Sequence, residues 1–196
     1  MLRNAAIAAA ISSSMAMATA AAAAPNLVAD PSFEVADGSW AGTMLLLPSD
    51  TARTGSNVAL TACVGHGCVS TLGEGGYVQQ TLATTAGQAY TLKFYVGEDA
   101  GPTSEISVFW DGVLVADVLN PANSSLPGYV SFAFGGLLAS SGATSLELHG
   151  RQDPSFIFFD DVEVTVSDVP EPRSLLALAI GLAGLGLTRV RGWNRL

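Results

Sequence analysis

Every second residue is apolar in Tyr90-Thr-Leu-Lys-Phe-Tyr-Val96 and in Glu105-Ile-Ser-Val-Phe-Trp110. A period of two is the mark of a strand with one buried face. Similar runs recur at 43–47, 57–63, 77–82, 89–96, 105–110, 113–118, 129–134, 145–149 and 156–166, separated by Gly, Pro, Asn and Asp. Asp111-Gly112 joins two of them and predicts a two-residue hairpin turn. No window between residues 25 and 168 sustains a helical period. Nine short strands at this spacing predict an all-β fold, a two-layer β-sandwich or jelly roll.

The two ends break the pattern. Residues 1–24 open with Arg3, run through an apolar stretch from Ala5 to Ile11, and finish in small residues from Ala16 to Ala24. That order predicts a secretory signal peptide cut between Ala20 and Ala24. At the other end, Pro170-Glu171-Pro172 cannot continue a strand or a helix, because each proline fixes φ and lacks a donor. Residues 175–187 are all Leu, Ala, Ile or Gly, and Arg189, Arg191 and Arg195 close the segment. A helix of that length covers roughly 20 Å, short of the roughly 30 Å hydrocarbon core. The segment therefore predicts a short, transient transmembrane anchor with its basic end on the cytoplasmic side. Pro-Glu-Pro, apolar helix and terminal arginines, in that order, resemble the PEP-CTERM sorting signal of exported bacterial proteins. The resemblance covers residues 169–196. It implies recognition by a membrane exosortase, removal of the tail, and delivery of the body to the cell surface or extracellular matrix.

Taking both ends away sharpens the charge. Residues 25–170 keep three basic side chains, Arg53, Lys93 and Arg151, against sixteen acids, a net of −13. Such a body repels nucleic acid and anionic membrane, which excludes nucleic-acid partners. Its length suits one domain, residues 25–168, rather than two.

The two cysteines lie in Cys63-Val-Gly-His-Gly-Cys68. Export places them in an oxidising compartment and the glycines let the segment curl, so a disulfide is expected. The alternative is a metal site from Cys63, His66 and Cys68, which lacks a fourth ligand.

Two edge motifs refine the fold class. Asn26-Leu-Val-Ala-Asp-Pro-Ser-Phe-Glu34 and Phe158-Phe-Asp-Asp-Val-Glu-Val164 resemble the opening and closing strands of galactose-binding-like sandwiches, the jelly rolls of many carbohydrate-binding modules. Asp30-Pro31 stands where Asn-Gly is commoner in that family. The resemblance implies a structural calcium held in part by Glu34 and Asp160, and oxygen ligands suit that ion. Strict alternation would put Asp160 on the core side with Val162, Val164 and Val166, where a carboxylate needs a cation or hydrogen-bond donors. Hydrogen bonding from the opening loop is the alternative for Asp160.

Sugar recognition calls for exposed aromatic rings. Trp40, in a Gly-rich loop, and Trp110, beside the Asp111-Gly112 turn, are the best-placed candidates among Trp40, Tyr77, Tyr95, Trp110 and Tyr129. Catalytic motifs for acyl or phosphoryl transfer are missing, and Glu98-Asp99 is the one acidic pair worth inspecting for glycoside hydrolysis. The expectation is a non-enzymatic, adhesive or structural surface protein in contact with exopolysaccharide. A secreted carbohydrate-binding module or a jelly-roll glycan hydrolase are the alternatives.

Overall fold

A computed structural model of the chain describes residues 23–35, 37–99, 101, 103–122 and 124–167. Residues 1–22 of the signal-peptide segment, the Pro170, Glu171, Pro172, Arg189 and Arg191 motif and the apolar tail lie outside the described residues. Among the described residues no helix is long and apolar enough to cross a membrane.

Ten antiparallel strands form two five-stranded sheets. One holds β1 (Ala41–Gly42), β4 (Tyr77–Ala83), β9 (Ala143–Asp153), β6 (Thr103–Trp110) and β7 (Val113–Leu119), in that order. The other holds β2 (Leu45–Pro48), β3 (Asn57–Thr61), β10 (Ile157–Val166), β5 (Ala89–Glu98) and β8 (Val130–Leu138). Successive strands repeatedly cross between the sheets, which gives the jelly-roll sandwich. All nine expected strands occur, most within two residues of their expected ends, and β1 and the one-turn helix α1 (Gly67–Ser70) are additional. Asp111 and Gly112 have φ of +52° and +79°, the two positive values a type I′ hairpin turn requires.

Alternation makes the core. Tyr90, Leu92, Phe94 and Val96 from β5 face Leu146 and Leu148 from β9, Ile106, Val108 and Trp110 from β6, and Phe159, Val162 and Val164 from β10. The opening segment adds Val28 and Phe33 to this core. Asn26 fastens it to the closing strand: its side chain accepts the Val164 N–H at 2.8 Å and donates to the Val162 carbonyl at 3.0 Å. The two motifs that bracket the body in sequence therefore meet in space.

Two features depart from simple alternation. In β10 the register passes from Asp160 opposite Tyr95 to Glu163 opposite Lys93, so Asp161 and Val162 together oppose the single residue Phe94. Asp161 sits at this bulge with φ of +49°. The extra residue shifts parity, and Asp160 shares the outer side of the sheet with Tyr95 instead of the inner side with Val162. The strict-alternation expectation for Asp160 is thus corrected by one residue. In β9 and β6 the outward-facing Glu147, His149, Glu105, Ser107 and Phe109 are buried as fully as the inward set. The segment 62–76, carrying α1, lies across them.

Candidate functional site

The covering segment is tied at several points. Cys63 and Cys68 are joined by a disulfide. His149, with no exposed surface, donates from Nδ1 to the Cys68 carbonyl at 3.2 Å, and its Nε2 meets the Glu147 carboxylate. The same Glu147 oxygen accepts the Gly73 N–H at 2.7 Å. Tyr77 stacks on His149 with ring centres 5.4 Å apart, and Phe109 meets it edge-on at 5.1 Å. His66 pairs with Glu105 at 2.9 Å, and the disulfide takes both cysteines out of the alternative Cys63, His66 and Cys68 metal set.

Glu34 and Asp160, expected as a calcium pair, grip the two ends of one loop. Asp160 accepts the N–H groups of Arg53 and Thr54 at 2.8 and 3.1 Å, and its other oxygen accepts the Asp161 N–H at 2.8 Å. Glu34 Oε1 accepts those of Ser56 and Asn57 at 2.8 and 2.7 Å. Gly55 lies between, and a Cβ there would strike the Glu34 carboxylate at 2.4 Å. These carboxylates face amide donors, whereas calcium needs further oxygen ligands around it. Among the described residues no three His, Cys, Asp or Glu side chains gather to hold a metal. As arranged, the pair suits an amide-lined loop better than a calcium shell. Burial pushes the Asp160 carboxyl up to about 6, with the Asp161 charge adding to it and the three N–H donors opposing. At Asp161 burial also pushes upward, but the Ser32 and Thr54 hydroxyls and the Arg53 guanidinium outweigh it and hold the carboxyl below its ordinary value.

Neither expected tryptophan platform is open. Trp40 is 7% exposed, packs on Phe33 and donates from its indole to the Asp30 carbonyl at 2.9 Å. Trp110 is 3% exposed and donates to the Leu138 carbonyl at 2.8 Å. Each lines a shallow hollow, of about 250 Å³ at Trp40 and about 340 Å³ at Trp110, while the ring itself belongs to the core. An apolar ring beside a turn is drawn inward whenever the sandwich has room for it. Tyr95 is closed by another route, since the Arg53 guanidinium lies 3.4 Å above its ring centre.

Instead, one end of the sandwich presents Phe156, 42% exposed and the one Phe, Tyr or Trp ring in the exposed class among the described residues. It sits on the β9–β10 connection, and four loops meet around it. Asp99 donates its N–H to the Phe156 carbonyl at 3.0 Å, and the Ser155 hydroxyl donates to Asp99 Oδ2 at 2.6 Å. The Gln152 amide reaches the Asp99 carbonyl, and the Gly65 N–H reaches Asp153 at 3.0 Å. Ser124 donates its hydroxyl to Glu98 Oε1 at 2.7 Å and ties in the 121–128 loop. Arg151 spans Glu105 at 3.1 Å and Asp153. Glu98 Oε2 and Gln152 Oε1, both buried, accept no hydrogen bond. The end therefore sets an open ring beside a half-buried carboxylate, Asp99, with two unsatisfied acceptors buried beneath. The Asp153-Pro154-Ser155 turn ahead of Phe156 was the available signal, since it ends β9 and lifts the ring off the following strand.

No family model matches the chain, and no curated protein does. Solved structures do. TmCBM61, determined in complex with beta-1,4-galactotriose, aligns with a TM-score of 0.54 at 11% identity over 73% of this chain and 99% of its own. The CBM22-1 xylan-binding domain of Xyn10C from Paenibacillus barcinonensis gives 0.52 at 15% identity over 77% and 100%. The C-terminal family 22 carbohydrate binding module of Clostridium thermocellum Xyn10B gives 0.51 at 17% identity over 72% and 94%. At these identities the likeness is one of fold. The body is a β-sandwich with the fold of these modules, and it spans nearly the whole of each of them.

Proposed function

We propose that the protein is an exported, non-catalytic component of the bacterial cell surface or extracellular matrix that contacts a polysaccharide, reached through exosortase processing at Pro170-Glu171-Pro172. The observation that carries the glycan reading is the loop end around Phe156. An open ring offers stacking to a sugar face, and the half-buried Asp99 beside it offers an acceptor to its hydroxyls. The likeness in fold to modules solved with galactotriose or named for xylan supports the same reading. The acids at this end are committed to structure: Glu105 and Asp153 hold Arg151, Glu98 is buried on Ser124, and Asp99 takes Ser155. That commitment supports binding over hydrolysis.

Glycan-array binding by the body, residues 25–168, with and without calcium, tests the reading. Selective binding that Phe156→Ala abolishes is expected. Binding to no glycan, or binding indifferent to that substitution, overturns it. Mass spectrometry of native material tests the route: both ends trimmed and the body outside the cell is the expected result, and an intact cytosolic chain refutes it.

A further inference from the structure

The cations of the body are few: two are paired with carboxylates and the third stands beside an aromatic ring. Arg53 is paired with Asp161 and lies over Tyr95. Lys93 stands 5.2 Å from the same ring centre and opposite Glu163 in the register. Arg151 is held by Glu105 and Asp153. Against these three stand fifteen acids in the described residues. Around Phe156 the balance leans the same way, since the half-buried Asp99 has only the Ser155 hydroxyl on its Oδ2, while Glu98 Oε2 and Gln152 Oε1 are buried beneath it.

An anionic polymer needs uncommitted Arg or Lys to neutralise its carboxylates, and such binding grows with their number. A uronate keeps its ring hydroxyls but adds a carboxylate at every residue, a negative charge brought to a body that already carries an excess of them. Neutral sugars bring hydroxyls without that charge, and amino sugars bring a positive one. We infer that the polysaccharide this protein contacts carries no acidic groups, and that the chain discriminates against polyuronates by charge. This rests on the glycan-contacting reading and narrows its substrate class to neutral or amine-bearing polymers.

Affinity electrophoresis of the full chain tests the inference with β-1,4-galactan, chitosan and polygalacturonate, each at low and high salt and with and without calcium. Retardation by galactan or chitosan and none by polygalacturonate is the expected result. If chitosan is the ligand, Asp99→Asn weakens retardation by about threefold and added salt weakens it too. Retardation by galactan does not respond to salt. Retardation by polygalacturonate under any of these conditions overturns the inference and leaves the glycan reading standing. Retardation by none of the three, with a blank glycan array, overturns both.

Discussion

Asp160 stands directly opposite Tyr95 across β10 and β5, on the outer side of the sheet, and yet has no exposed surface. The β10 bulge turns it outward, and the 53–57 loop then folds over it, donating two N–H groups to its Oδ2. A carboxylate is thereby buried without entering the core.

The pH response of this group has a definite sign. With its folded pKa raised to about 6 from an ordinary 3.8, the native state holds the Asp160 proton more tightly than the unfolded chain. Its contribution to stability is fully present below about 4 and is lost as pH rises through about 6. Removing the charge by Asp160→Asn should abolish this component, worth at most about 3 kcal/mol. Urea midpoints of both proteins from pH 4 to 7 check it: the gap between them should change across that window, and a constant gap refutes the assignment.

Calcium should have little to hold at Glu34 and Asp160. Melting temperatures in 5 mM calcium and in excess chelator, on the order of ordinary assay conditions, are expected to agree within about 1 °C, because a tight native-state ligand would raise stability by RT ln(1 + [L]/Kd). A rise of several degrees with calcium, lost in Glu34→Gln, would restore the cation.

Phe156 and Trp110 should behave as opposites. Exposed Phe156→Ala is expected to alter stability by less than about 1 kcal/mol while removing glycan retention. Core Trp110→Ala should cost about 3–5 kcal/mol in chemical denaturation. Equal losses of stability in the two variants would contradict the placement of the rings.

The segment 62–76 should depend on its fastenings. Replacing both Cys63 and Cys68 by Ser should cost about 2 kcal/mol for so short a closed loop. Breaking the buried pair by His149→Leu should cost about 3 kcal/mol and leave Glu147 beneath the segment without its partner. Guanidinium titrations measure both, and losses below about 0.5 kcal/mol would show that the segment is not anchored there.

Much of the sandwich was legible because alternation and turn residues are local signals. The strands around Tyr90–Val96 and Glu105–Trp110, and the Asp111-Gly112 hairpin, follow directly from them. What escaped depends on distant parts of the chain. The side taken by Asp160 turns on a bulge one residue long. The burial of Glu147 and His149 depends on a segment some 75 residues earlier in sequence, so a polar alternation that reads as a wet face is dry. Trp40 and Trp110 were candidates for exposure by their loop and turn positions, but their rings fill the core. Phe156 was hidden by being counted into the strand that begins one residue later.

Strand β9 carries the broadest consequence. With the core on one side and the cystine-bearing segment on the other, its middle, residues 146–150, is buried on both, so its amides should be the slowest to exchange hydrogen. One fastening of that cover is covalent. A reducing milieu would therefore weaken the cover over the middle of the molecule while the edges kept their ladders.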